Sequence, residues 1–183
     1  MMPAAAMTAY GAINIPAKSY DGIQWAIKEG VLYISKGTAS GEFAAGEMGD
    51  ADMYGYKAWA SYKDEITKVV VEEGVTRLGF EACADMPLLQ SAEIAASVEA
   101  IGSYAFAGNQ ALESVIIKDG TQSIGEYAFY NCTALKEINI PASVKSIGQL
   151  AFQGCTGMTK VTLQEGLEAI GTQAFSNCTS LTD

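Results

Sequence analysis

The sequence predicts a β-rich solenoid of 23-residue coils, a parallel β ladder with short helical or 3-10 segments, introduced by a small N-terminal β cap. Three observations predict it. An Ile-Gly pair, Leu-Gly in its first copy, recurs at Leu78-Gly79, Ile101-Gly102, Ile124-Gly125, Ile147-Gly148 and Ile170-Gly171, always 23 residues apart. A constant alanine follows at Ala82, Ala105, Ala128, Ala151 and Ala174, with Cys83, Phe106, Phe129, Phe152 and Phe175 beside it. Two apolar columns lie two residues apart, Val69, Ala92, Val115, Ile138, Val161 and Val71, Ile94, Ile117, Ile140, Leu163. That spacing marks a strand with one face turned inward.

The elements can be justified in chain order. Residues 1–20 contain no basic residue before Lys18 and no intact secretory signal is visible, so they read as a flexible lead-in. Residues 21–63 read as a β-hairpin cap: Ile23, Trp25 and Ile27 alternate, Lys28-Glu29-Gly30 turns the chain, and Leu32 and Ile34 alternate again. Residues 64–183 hold five repeats. In "LKEINIP", Leu135, Ile138 and Ile140 go to the core while Glu137 and Asn139 project from the sheet. Stacking places successive strands side by side at ~4.8 Å. Gly74, Ser97, Gly120, Ser143 and Gly166 mark the corner that follows, where a small residue suits a tight turn.

The two ends of the array break the pattern. The first repeat has Cys83 where the others have phenylalanine, and Met86 where later repeats have cysteine; Trp59 is expected to fill the space beside Cys83. The last repeat carries no polar capping coil before Thr182-Asp183, so Phe175 and Leu181 are expected to lie open and to favour end-to-end self-association at the C-terminal coil.

Composition restricts the chemistry. A 49% hydrophobic content over 183 residues suffices for a core. No stretch reaches the ~18 consecutive apolar residues of a membrane-crossing helix, so no membrane insertion is expected. A net charge of -10 opposes the phosphate attraction that supplies most nucleic-acid affinity, so no nucleic-acid partner is expected. Histidine is absent, which removes the commonest general base, the usual activator of a nucleophilic Ser or Cys, and the commonest zinc ligand. A non-enzymatic protein with no catalytic residue, no metal and no cofactor is the expectation.

The motifs IGxxAFxxC and LxxIxIPxxVxxIG, both present in "LKEINIPASVKSIGQLAFQGC", carry a resemblance. A fixed period between 20 and 29 with Leu or Ile at set offsets is the signature of a leucine-rich-repeat solenoid. Over residues 66–183 the chain resembles the BspA-like leucine-rich-repeat family of bacterial surface proteins, and "GIQWAIKEGVLYISKG" is similar to the segment that introduces such arrays. The resemblance implies secreted or cell-surface placement and a role in protein recognition, including adhesion.

Candidate sites follow from the columns. The outward ladder Lys68, Val70, Ser91, Glu93, Ser114, Ile116, Glu137, Asn139, Lys160 and Thr162 is the candidate partner-binding face, because a solenoid sheet is extended and rigid. Val70 and Ile116 are apolar where solvent is expected. Ala105, Phe106, Ala128, Phe129, Cys132, Ala151, Phe152, Cys155, Ala174, Phe175 and Cys178 read as structural: a close-approach column, an aromatic spine and a ladder of reduced thiols. Asn131-Cys132-Thr133 and Asn177-Cys178-Thr179 match the glycosylation sequon but read as turns. Asp50 and Asp52 lack the spacing of a calcium loop and read as a solvated loop. Two rival functions are a structural spacer within a longer surface protein and carbohydrate binding in the cap through Trp25, Trp59 and nearby acids.

Overall fold

The computed structural model describes residues 15–20, 22–37, 46, 48 and 58–182. Asp50 and Asp52 lie outside them. The described residues open with three antiparallel strands, β1 (Ile15–Tyr20), β2 (Ile23–Lys28) and β3 (Val31–Lys36). Glu29 and Gly30, at φ 54° and 75°, close the β2–β3 hairpin with a two-residue left-handed loop whose twist matches that of its strands. Residues 15–20, expected to belong to a flexible lead-in, instead form an edge strand on β2. The free edge of β2 offers backbone donors and acceptors, and β1 satisfies them.

The repeats add a long and a short strand per coil. In order they are β4 (Lys68–Val71), β5 (Arg77–Leu78), β6 (Ser91–Ile94), β7 (Ala100–Ile101), β8 (Ser114–Ile117), β9 (Ser123–Ile124), β10 (Glu137–Ile140), β11 (Ser146–Ile147), β12 (Lys160–Leu163) and β13 (Ala169–Ile170). Long strands pair in parallel with the hairpin into one eight-stranded sheet, β1-β2-β3-β4-β6-β8-β10-β12, and short strands into a five-stranded parallel sheet. The junction is continuous, because β3 pairs in parallel with β4, Val31 opposite Lys68 and Tyr33 opposite Val70.

Between each short strand and the next long strand the chain makes turns. The expected short helical segments are absent here; the one 3-10 turn among the described residues is Ala60–Tyr62, ahead of the first coil. Inter-coil bonding explains this. The amides of Cys83, Phe106, Phe129 and Phe152 donate to the carbonyls of Ala105, Ala128, Ala151 and Ala174 at 2.6–2.7 Å, so they are spent between coils. Glu81, Tyr104, Tyr127, Leu150 and Gln173 sit at φ 53–58°, which no right-handed helix accommodates.

The core is a set of ladders running along the solenoid. Phe106, Phe129, Phe152 and Phe175 stack with centroids 5.1–5.3 Å apart and planes within 4°. The glycine of the Ile-Gly pair is required by coil spacing: a Cβ on Gly148 would lie 2.5 Å from the Glu126 nitrogen, and one on Gly102 2.6 Å from the Leu78 carbonyl oxygen. The corner column alternates Gly with Ser for a polar reason. Gly74 and Gly120 donate their amides to the hydroxyls of Ser97 and Ser143, which pass the bond on to the carbonyls of Val75 and Thr121.

The cysteines also do more than fill space. Cys132, Cys155 and Cys178 donate Sγ–H to the carbonyls of Phe106, Phe129 and Phe152 at 3.2 Å, and Asn109 performs the same task one coil earlier, donating Nδ2 to Cys83 and Phe106. All four cysteines are free thiols. Asn131 and Asn177, the sequon residues, occupy left-handed turns at φ 55° and 59°.

Candidate functional site

The outward face of the eight-stranded sheet is built by strict register. β4, β6, β8 and β10 bury their second and fourth residues and turn their first and third outward, while on β12, in the last coil, Val161 is half-buried and Leu163 exposed. Because successive strands pair without a shift, the outward residues align in two rows. One row carries Lys68, Ser91, Ser114, Glu137 and Lys160. The other carries Val70, Glu93, Ile116, Asn139 and Thr162.

The face changes character along its length. Lys68, Val70, Ser91 and Glu93 are half-buried near the hairpin, whereas Ser114, Ile116, Glu137, Asn139, Lys160 and Thr162 are exposed. Ile116 stands 56% exposed in the middle strand of the repeats, an apolar side chain held out into solvent by its register. Lys68 pairs with Glu93 diagonally across β4 and β6. Gln164 donates to the Asn139 side-chain oxygen at 3.3 Å. Both pairs are solvent-screened and serve to orient the face more than to hold the fold.

The rows extend further than the repeat period indicates. The β3–β4 register places Val31 ahead of Lys68 and Tyr33 ahead of Val70, both half-buried. These residues were missed because β3 precedes β4 by 37 positions, from Val31 to Lys68, instead of by the repeat period. The alternation of Val31-Leu32-Tyr33-Ile34 carried the signal, and only its phase relative to the repeats was hidden.

The structural residues lie where their columns place them. Ala105, Phe106, Ala128, Phe129, Cys132, Ala151, Phe152, Cys155 and Ala174 are buried, while Phe175 and Cys178, on the last coil, are half-buried. Burial pushes the Cys132 thiol up to about 12. The hydrogen bond to Cys178, with burial, pushes Cys155 up as well. Neither thiol is poised as a nucleophile.

Carbohydrate binding through the cap tryptophans is corrected by their burial. Trp25 is 2% exposed and Trp59 1%, packed edge to face with centroids 6.0 Å apart, so neither offers a ring face to a sugar. Among the described residues no group of three or more His, Cys, Asp or Glu is placed to hold a metal ion. No helix among them is long and apolar enough to cross a membrane.

Comparison with known proteins agrees with this architecture. A leucine-rich-repeat protein of Bacteroides ovatus superposes with a TM-score of 0.64 at 26% identity, covering 74% of this chain and 33% of its own. A leucine rich cell surface protein of Faecalibacterium prausnitzii gives 0.61 at 24% identity, over 91% of this chain and 53% of that one. The leucine-rich-repeat protein of T. pallidum gives 0.60 at 17% identity, covering 92% of each. The chain thus spans about a third and about half of the first two. No curated protein matches the sequence. The family profile described as "BspA type Leucine rich repeat region" matches six copies over residues 55–183. The chain therefore belongs to the BspA-type leucine-rich-repeat family.

Proposed function

We propose that this chain is a non-enzymatic protein-binding module of the bacterial cell surface, and that its partner lies across the two outward rows of the eight-stranded sheet. The observation that carries the reading is Ile116, 56% exposed on the middle long strand of the hydrogen-bonded repeats. Register alone keeps an apolar residue in water there, between Glu93 on one strand and the rows of β10 on the other. Val70 would add a second apolar contact, and Lys68, Ser91, Ser114, Glu137, Asn139, Lys160 and Thr162 would form the polar rim. The surface placement named for the F. prausnitzii protein and the absence of histidine support the same reading.

The test passes the purified chain and a Val70→Glu, Ile116→Glu variant over immobilised extracellular-matrix and bacterial-surface proteins. Both side chains project from the sheet, so the variant should fold like the parent. Binding by the parent that falls roughly tenfold or more in the variant supports the sheet face. Equal binding by both moves the contact elsewhere.

A spacer role within a longer surface protein is the competing reading, favoured by the chain's spanning only 33% of the B. ovatus protein. Binding by neither protein would support it. Self-association through the C-terminal coil is a further reading, since Leu163 and Ile170 are 45% and 50% exposed on β12 and β13, the outermost strands of their sheets among the described residues. A monodisperse monomer by light scattering at millimolar concentration would rule that out.

A further inference from the structure

Outside the sheet face, the corner after the short strands carries a second organised surface. Tyr104 and Tyr127 stack with centroids 4.6 Å apart and planes 11° from parallel. Phe80 tilts against Tyr104 at 5.4 Å, and Tyr130 meets Tyr127 edge to face at 5.6 Å. All four rings are half-buried, and they span three successive coils. This is an aromatic ladder running parallel to the buried phenylalanine spine, on the solvent side of the coil.

The fold does not require aromatic residues here. The column containing Tyr104 and Tyr127 is left-handed in every coil, and Glu81, Leu150 and Gln173 fill it elsewhere at φ 53°, 58° and 57°. A bulky side chain at positive φ is a costly choice in a column that accepts glutamate and glutamine equally well. Two tyrosines in succession, extended by Phe80 and Tyr130, therefore serve the surface more than the turn.

The charges that share the ladder's columns are of one sign. Glu81 shares the tyrosine column and Glu126 immediately precedes Tyr127; both carboxylates act on the Tyr104 phenol, whose pKa is raised by desolvation and, after it, by Tyr127, Glu126 and Glu81. The corner residues from Phe80 to Tyr130 in these columns, Phe80, Glu81, Ser103, Tyr104, Glu126, Tyr127 and Tyr130, include no Lys or Arg. The sheet face, by contrast, mixes Lys68 and Lys160 with its acids. A second copy of a chain with net charge -10 would be repelled from this corner.

We propose that the ladder of Phe80, Tyr104, Tyr127 and Tyr130, with Glu81 and Glu126, is a second docking surface, for a basic, arginine-bearing segment of a partner protein. A guanidinium matches the site on both counts. Its fork takes a carboxylate bidentately, and its weakly hydrated plane and alkyl stem pack on aromatic surface. Lysine offers a compact, strongly hydrated charge and should bind more weakly.

The experiment titrates a short peptide of alternating glycine and arginine into 15N-labelled protein and follows amide shifts. Shifts should centre on residues 80–81, 103–104 and 126–130, and the lysine counterpart should bind more weakly. Tyr104→Ser with Tyr127→Ser leaves the net charge unchanged, so a roughly tenfold loss of affinity in that variant isolates the aromatic contribution. Glu81→Gln with Glu126→Gln should lose affinity, while Glu72→Gln with Glu73→Gln, an equal charge change at another corner, should not. Folding of each variant is checked by its thermal transition. Unchanged affinity in the folded tyrosine variant, equal losses in the two glutamate variants, or shifts spread over all acidic corners would overturn the proposal. So would binding of a neutral oligosaccharide at these residues in place of the peptide.

Discussion

The indole Nε1 of Trp59 donates a 3.0 Å hydrogen bond to the carbonyl of Ala82. In every later coil the equivalent alanine carbonyl accepts a backbone amide from the coil before it, as Ala105 does from Cys83 and Ala128 from Phe106. Ala82 stands in the first coil, and a side chain of the cap supplies the donor. Trp59 thus ends the inter-coil ladder, packed against the residue that precedes Cys83, the position where the phenylalanine spine is interrupted.

Trp59→Phe and Trp25→Phe should therefore differ. Both remove a similar ring, but only Trp59 loses this bond, whereas Trp25 Nε1 has no hydrogen-bond acceptor among the described residues. Leaving the Ala82 carbonyl buried and unpaired costs about 1–3 kcal/mol, so Trp59→Phe should be the less stable variant by that margin in urea titration. Equal midpoints would show that the bond contributes nothing.

Phe152→Ala removes a ring stacked on both sides, at 5.1 Å from Phe129 and 5.1 Å from Phe175. A loss of ~3–5 kcal/mol is expected from the cavity, because flanking coils held by their own ladders cannot collapse into it. Phe175→Ala, at the half-buried end of the spine, should cost less. The two denaturation midpoints give the comparison.

Gly148→Ala should destabilise without any change of backbone conformation. The added Cβ would lie 2.5 Å from the Glu126 nitrogen and 2.5 Å from the Gly125 carbonyl carbon, both rigid backbone atoms. Separating the coils to admit it should cost about 1–3 kcal/mol, read as a lowered thermal midpoint.

The thiol ladder predicts an alkaline weakness. Burial raises the Cys132 pKa from 9.0 to about 12, so between those values the unfolded state ionises while the folded state holds its proton. Its contribution is complete below pH 9.0 and declines as pH rises towards about 12, at up to about 1.4 kcal/mol per pH unit. The stability gap between the parent and Cys132→Ala should narrow over that interval. Iodoacetamide at pH ~8.5 should label half-buried Cys178 first and Cys132 only on unfolding.

A fixed period is legible in one dimension because every coil repeats the same environment. Ile101, Ala105 and Phe106 recur at constant offsets, and so the spine, the parallel sheets and the outward rows from Lys68 to Thr162 could be read directly. The thiol column is legible as Cys132, Cys155 and Cys178, but spacing does not show that each donates to a phenylalanine carbonyl one coil back. Tyr104 and Tyr127 share one column of the repeat, yet the stacking with Phe80 crosses two columns, which a single column does not reveal.

Tertiary structure decided what depends on phase between unlike segments. Whether β3 would join the sheet, and so bring Tyr33 beside Val70, depended on how the hairpin stacked on the first coil, which no repeat spacing encodes. The same stacking buried Trp25 and Trp59 and turned the indole of Trp59 towards Ala82. Local alternation determines which side of a strand is apolar; only the packing of one strand on another determines which residues become neighbours.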